Sequence, residues 1–406
     1  MFETIVLKMA KFVSSKYSWS NIFLLLSLLM FAFVTNSNAN IMAEAPVVLY
    51  ITGEAILYAL FLVAVFFPLS ILFKKIKIDG VAIILALRCF VCFIPLLYVT
   101  GDLRSFSSHY LVTYYSVLVY LIALNDSKAN ILNNTKIVVI WGLILIVQVF
   151  ITFVRIEFSY FDYGYKSSMS IPLSSSNGIG AYLVPIMFLF FYSVKVDNKI
   201  KYLILALFVV ATILTRSRGG IVCVIITYFI YKVSIKHKIS IIYIFFILSL
   251  IALIIILALK IPEVEQFFLG FTSADEALDA NNLSSGRVDL IEFELERWLN
   301  HPVFGNGMIF NDTTTISGAH NFIVDLLAQG GLVGLLTYLI PLTIVIRKAY
   351  RYRKNNEVLG WMMCVIALLI YGLFEANMFT YPNELLLWTA CGIIMSFKKE
   401  NAQTKK

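Results

Sequence analysis

The sequence predicts an all-α fold, a polytopic membrane bundle of about 12 transmembrane helices with one large, partly helical outer loop. Three observations predict it. Of the 406 residues, 60% are hydrophobic and only 14% charged, where a soluble domain carries about a quarter. Apolar runs long enough to cross a bilayer recur along the whole chain. Lysine and arginine then concentrate on alternate breaks between those runs.

A membrane helix needs about 20 mainly apolar residues. The runs that qualify, some of them short, are 21–35, 47–73, 81–99, 110–124, 137–153, 179–195, 201–215, 219–233, 241–259, 322–346, 359–379 and 382–397. The first is preceded by Lys8, Lys11 and Lys16 and followed by Ser37-Asn38-Ala39. That pattern also fits a cleaved signal peptide, although a polytopic chain more often keeps such a segment as an anchor. The later topology is the same either way.

Orientation follows from the basic residues of the short loops. With the N-terminus cytoplasmic, cytoplasmic segments hold 23 of the 32 lysines and arginines. The outer segments hold Arg104, Arg155, Lys166, Arg216, Arg218, Lys260, Arg287 and Arg297, and Arg88 falls inside a span. The formal charge of +8 is therefore a topology signal, and nucleic acid is not an expected partner. Three regions result: 1–259 with spans 1–9, an outer loop over 260–321, and 322–406 with spans 10–12 and a cytoplasmic tail. All five cysteines lie in apolar runs, where they pack as small hydrophobes; this includes the Cys89-x-x-Cys92 pair.

Two outer segments are long. One covers 154–178, and the other covers 260–320 with ten acids against three bases. Loops beyond about 15 residues in compact proteins are usually functional or disordered. Within the second, 287–299 has helical spacing, with Ser284 or Ser285 to cap its start and Asn300-His301-Pro302 to stop it. Its stripe of Ile291, Leu295, Trp298 and Leu299 suits a helix lying on the outer membrane face. Gly330-Gly331-Leu332-Val333-Gly334 is read as close helix packing inside a span. A nucleotide loop would need a soluble strand–turn–helix setting.

Thr215-Arg216-Ser217-Arg218-Gly219-Gly220 sits at an outer turn between two spans. Its guanidiniums suit a phosphate held bidentately, or they snorkel to the interface. Arg287 opens the loop helix, where the dipole prefers an anion. It shares a bound anion with the helix amides, or it pairs with an acid of the loop. Ala319-His320-Asn321 stands where the loop meets the next span, a place for a base working near neutral pH or for a structural histidine. His109, His237 and His301 fit loops or a helix stop. Phe158, Tyr160, Phe161, Tyr163 and Tyr165 form an interfacial belt or a surface on which sugars stack. The histidines are too scattered, and the cysteines too deeply placed, for a metal spacing.

In this order these motifs resemble the bacterial O-antigen polymerase and O-antigen ligase family. The motifs are the Thr215–Gly220 turn, Ser285-Gly286-Arg287, the stretch from Asn300-His301-Pro302 through Gly305-Asn306-Gly307, Ala319-His320-Asn321-Phe322-Ile323 and Gly330–Gly334, with Ser176-Asn177-Gly178 a weaker match. The resemblance covers about 170–346; the N-terminal third matches in hydropathy alone. It implies a metal-independent, polyprenyl-pyrophosphate-dependent glycosyltransferase of the bacterial inner membrane. Both termini would be cytoplasmic and the active site periplasmic. The donor would be an undecaprenyl-pyrophosphate-linked oligosaccharide, with no cofactor. Family arginines at the Arg218 and Arg287 positions hold the pyrophosphate, and a histidine at the His320 position is the base. Arg216 is an extra cation without a fixed family role.

Asn321, Asn177 and Asp289 are candidates for supporting positions. The carboxylate behind His320 is sought among Asp289, Glu292 and Asp325. Polymerase and ligase differ in acceptor, and the His320 and 300–307 motifs look more like polymerases. Membrane lipid and a chain-length regulator of the polysaccharide co-polymerase type are the other expected partners. A lipid-linked oligosaccharide transporter is the alternative of another class, resting on Glu54, Arg88, Asp325 and Glu375 as intramembrane charges. An accessory subunit docking through the outer loop is a third.

Overall fold

A computed structural model of the chain describes residues 24–25, 27–28, 76–98, 103–125, 128–160, 163–234, 287–307, 318–375 and 379–397. The expected span at 47–73, the one at 241–259, Glu54, Ser284 and Ser285 lie outside the described residues, as do most of the span at 21–35 and most of the acidic loop.

The described chain is helical apart from one small hairpin. In order it forms α1 (Gly80–Val91) with a 3-10 turn (Ile94–Leu97), α2 (Leu103–Leu124), α3 (Lys128–Arg155) and the short α4 (Tyr163–Ser168). The antiparallel pair β1 (Ser170–Ile171) and β2 (Ser174–Ser175) follows. Then come α5 (Ser176–Ser193), α6 (Asn198–Leu214), α7 (Arg218–Ser234), α8 (Arg287–Asn300), α9 (Phe322–Arg351), α10 (Asn356–Gly372) and α11 (Tyr381–Ser396). Four helical segments among the described residues are long and apolar enough to cross a membrane: Gly80–Leu97, Asn133–Arg155, Ser176–Ser193 and Phe322–Arg351. Compared with the expected spans, α2 starts earlier and takes in Arg104 and His109. The helix expected over 359–379 stops at Gly372.

α5 is apolar all round, as a helix enclosed by others must be. Ile179, Leu183, Val184, Ile186 and Leu189 are fully buried. It packs chiefly on α10, with α3, α6 and α7 around it, while α2 pairs with α11. Gly360 permits the α5–α10 approach, since a Cβ there would fall 1.9 Å from Ser193 Oγ. Side-chain caps define the helix starts. Asp79, Asp197, Asn321 and Asn355 each accept backbone N–H groups of α1, α6, α9 and α10 respectively.

Charge inside the bundle is gathered rather than scattered. Glu384 is buried and accepts from Ser116 Oγ at 2.5 Å, Tyr338 Oη at 3.0 Å and Trp388 Nε1 at 2.5 Å. The buried Arg88 guanidinium lies 4.5 Å over the Tyr338 ring. A buried carboxylate costs several kcal/mol unless its oxygens are hydrogen-bonded, and this network supplies those bonds from α2, α9 and α11.

α9 is broken at Gly331, which has φ 61° and ψ −163°. A helix break deep in a bundle strands backbone groups that something must satisfy. The chain just after α8 does so. Asn306 N–H and Gly307 N–H donate to the carbonyls of Ala328 and Gln329, and Leu332 and Val333 donate to the carbonyls of Pro302 and Val303, all within 2.8–3.1 Å. A Cβ on Gly331 would stand 2.4 Å from the Val303 carbonyl carbon, and one on Gly305 would stand 2.5 Å from Gln329 backbone. The expected helix-packing role of the 330–334 glycines is thus corrected. Gly330 has nothing within 4 Å of a Cβ, and the close approach at Gly331 is to an inserted loop.

Candidate functional site

The α6–α7 turn is held from both sides. Thr215 Oγ1 donates to Thr212 O at 2.7 Å, and Ser217 Oγ accepts from Gly220 N–H at 3.2 Å, starting α7. Tyr160 and Tyr165 donate to the carbonyls of Ile213 and Leu214, each at 2.7 Å. These are carbonyls that a helix end leaves without an intrahelical partner. The two tyrosines expected to form a belt or a sugar platform therefore clasp the end of α6. Burial pushes the Tyr160 phenol up to about 12, against the opposing pull of Arg216, whose guanidinium lies 5.8 Å over its ring.

Arg216 is almost fully buried, while Arg218, the first residue of α7, is half-buried. Arg216 has φ 51° and His320 has φ 52°; among the described residues these are the non-glycine positions with positive φ. Each costs on the order of 1–3 kcal/mol, and such strain gathers at functional sites. Both fall on motifs singled out from the sequence.

A hydroxyl relay ties this turn to α5 and α10. Ser217 Oγ meets Tyr371 Oη at 2.7 Å, and Tyr371 donates to the Asn177 carbonyl. Tyr371 has one proton, so Ser217 must be the donor in their contact. Asn177 thus enters the site through its backbone, from the first turn of α5.

Beyond Gly372 the chain turns, and Phe374 and Glu375 face α8. Arg287 Nη1 donates to Phe374 O, and its Nη2 lies 3.2 Å from Glu375 Oε2. The arginine sits at the unfavourable end of its own helix but docks on the C-terminal side of α10, where a cation is favoured. Of the two roles open to Arg287, the pairing one is present, with Glu375 beyond α10 as a partner. The other Glu375 oxygen lies 3.1 Å from His320 Nδ1. His320, Glu375 and Arg287 therefore form one chain, with side-chain exposures of 21%, 10% and 30%. A carboxylate beside Nδ1 selects the tautomer protonated there and leaves Nε2 as the basic atom.

The residues around His320 hold its backbone. Asn321 Oδ1 accepts from Ile323 N–H at 3.1 Å and Val324 N–H at 3.4 Å, capping α9. Buried Asp325 accepts Ala319 N–H at 2.7 Å. Asp325 thus hydrogen-bonds to the turn, with His320 within reach of its charge. Asp289 and Glu292 are exposed on α8, and Glu375 occupies the place for which these three were candidates. Read as an intramembrane charge, Glu375 instead lies past the end of α10. Sequence distance hid it: it is 55 residues from His320, inside what reads as an apolar run. The signal that could have revealed it is a lone carboxylate three residues past a helix-ending Gly372.

α8 also departs from expectation. Its inner face carries Glu294, buried and held by both of its oxygens at 2.9 Å from Arg297 Nη1. Burial raises the Glu294 carboxyl above its usual range, with Arg297 opposing. Among the described residues no group of three or more His, Cys, Asp or Glu is placed to hold a metal ion.

The arrangement brings Arg216, Arg218, Arg287 and His320 to one end of α7, α8 and α9, with an oriented imidazole beside guanidiniums suited to an anion. A family model described as O-antigen ligase matches residues 203–339. That stretch includes all four residues and agrees with the family resemblance of the motifs. No curated protein matches the chain.

Proposed function

We propose that this membrane protein, a glycosyltransferase-like enzyme of the O-antigen polymerase and ligase family, transfers a glycan from undecaprenyl pyrophosphate to a sugar hydroxyl of another lipid-linked repeat. The reaction takes place at the periplasmic face of the inner membrane. The observation that carries the reading is the chain His320–Glu375–Arg287 beside the Arg216–Arg218 turn. It joins a base to an anion site through one carboxylate.

Each residue has a distinct task. Glu375 holds the Nδ1 proton of His320, so Nε2 takes the proton of the acceptor hydroxyl as its oxygen attacks the anomeric carbon. A sugar hydroxyl is a very weak acid and needs a base only as that proton is lost, which suits a histidine. The bond from the anomeric carbon to the pyrophosphate oxygen breaks, and its electron pair stays on that oxygen. Arg218 and Arg287 receive the growing negative charge, with their donors already in place; such fixed donors are worth more in a water-poor site than in bulk water. Arg216, buried under Tyr160, adds field without needing direct contact.

A deletion strain provides the test, with its lipopolysaccharide resolved on a gel and its undecaprenyl-linked glycans analysed beside it. Core bearing a single repeat and no ladder supports the polymerase. Bare core, with long glycans retained on undecaprenyl, assigns the ligase acceptor instead. An unchanged ladder, with capsule and other exported glycans also intact, overturns the enzyme reading in favour of the transporter or accessory classes.

A further inference from the structure

We propose that Lys166 is a fourth cation of the diphosphate site, matched to the charge that appears on the diphosphate as it departs. The inference rests on the pyrophosphate reading above and adds a residue that no motif in the sequence pointed to.

The segment carrying Lys166 is pinned at both ends to the site. On its N-terminal side, Tyr160 and Tyr165 hydrogen-bond to the last carbonyls of α6, just before Arg216. Tyr165, the residue before Lys166, is buried at 1% exposure. On the C-terminal side the β1–β2 hairpin leads into α5, where the Asn177 carbonyl accepts from Tyr371. Lys166 lies between these anchors, half-buried, on the short helix α4 whose Tyr165 bonds to the end of α6.

The charges acting on its ammonium agree with the setting that those anchors give it. Loss of surrounding water pushes the Lys166 pKa below its ordinary value. Arg218, Arg287 and Arg216 add to this, and Glu375 opposes them. Four cations around one carboxylate repel one another, and an anion entering between them relieves the repulsion.

The chemistry then selects which anion. In the donor the diphosphate is esterified at both ends; as a leaving group it is esterified at one, and it carries one more negative charge. An interaction that strengthens as that charge develops raises the rate rather than merely tightening donor binding. A lysine suits this task, being a compact point charge on a flexible stem that can follow a moving phosphate, where the arginine forks fix the resting one.

The test uses the full chain in lipid nanodiscs with two probes, farnesyl diphosphate as the monoester and P1,P2-difarnesyl diphosphate as the diester. Wild type is expected to favour the monoester. Lys166→Met should weaken monoester binding by about tenfold and diester binding by much less, with Lys166→Arg restoring the monoester preference and thermal unfolding confirming that each variant is folded. Unchanged binding of both probes in Lys166→Met, or equal weakening of both, overturns the role of Lys166 and leaves the pyrophosphate reading standing. Failure of wild type to bind either probe overturns the pyrophosphate reading itself, and this inference with it.

Discussion

Replacing Glu375 with glutamine tests the central joint of the site. The carboxylate accepts from His320 Nδ1 at 3.1 Å and from Arg287 Nη2 at 3.2 Å, one on each oxygen. Glutamine keeps the volume but offers one acceptor and one NH2, so either the imidazole or the guanidinium must face a donor. A hydrogen bond to a charged group contributes roughly 1.5–3 kcal/mol, about twice a neutral one. Partial exposure of all three side chains places these bonds at the lower end of that range. Losing one bond and the charge on the other comes to about 2–3 kcal/mol, or roughly 30- to 150-fold in rate at 1.36 kcal/mol per tenfold. The assay is glycan transfer from a lipid-linked donor in proteoliposomes, resolved into kcat and KM. The loss should fall on kcat, because the imidazole matters as the proton leaves the acceptor. Removing His320 as well should add little, since both substitutions disable one unit. A folded Glu375→Gln protein working within about threefold of wild type would refute the assignment of Glu375 as the orienting carboxylate.

Arg218→Lys keeps the charge and loses the planar fork; transfer should fall by about a hundredfold or more with unfolding temperature unchanged, and near-normal activity would remove Arg218 from the pyrophosphate clamp. Gly331→Ala puts a methyl 2.4 Å from the Val303 carbonyl carbon at a φ of 61°, so it should cost about 3 kcal/mol or more; wild-type yield and melting temperature would mean that the 302–307 insertion is dispensable. Glu294 gives a pH signature, since its carboxyl is raised in the folded protein. A raised carboxyl stabilises fully below its unfolded value of about 4.3, and the benefit is lost as pH climbs through the folded one. Thermal stability should therefore fall from about pH 4 upward in wild type, and Glu294→Gln should flatten that slope.

Much of the candidate site was legible from local chemistry. Arg216, Arg218, Arg287 and His320 stood out because each is a charged or titratable residue at a place where an apolar chain has no structural need for one. Their neighbours Asn321 and Asn177 were legible as motif members, but what they do was not: one caps α9 and the other contributes a carbonyl. Glu375 was legible only as a charge inside a span, because hydropathy averages over a window and one carboxylate among apolar residues hardly lowers the mean; its place beside His320, 55 residues away, was not. The same averaging merged the end of α10 with the turn beyond it. Helix existence was similarly readable while the break in α9 was not. Gly330-Gly331 fits close packing as well as it fits a kink, and only the inserted 302–307 backbone distinguishes them. The face of α8 misled for a related reason. A buried Glu294 paired with Arg297 three residues later looks in sequence like a solvated charge pair.

These two surprises, the broken helix and Glu375, explain each other's value to the site. Arg287 begins α8 and His320 immediately precedes α9, and the 308–317 chain between them lies outside the described residues. The residues following α8 bond backbone to backbone with the break in α9 at Ala328, Gln329, Leu332 and Val333, so the two helices are fixed to each other by four hydrogen bonds that involve no side chain. Such a joint resists substitution everywhere except at the glycines that permit it. Glu375 then fastens the pair to α10, and through Tyr371 to the turn that carries Arg216 and Arg218. Arg287, His320 and the Arg216–Arg218 turn, the proposed anion site and base, are thus parts of one assembly, with positions set by main-chain geometry on one side and a single carboxylate on the other. Damage to the carboxylate should misplace the base and one guanidinium together while leaving Arg216 and Arg218 where they are, which is why Glu375→Gln is expected to slow transfer far more than it weakens diphosphate binding.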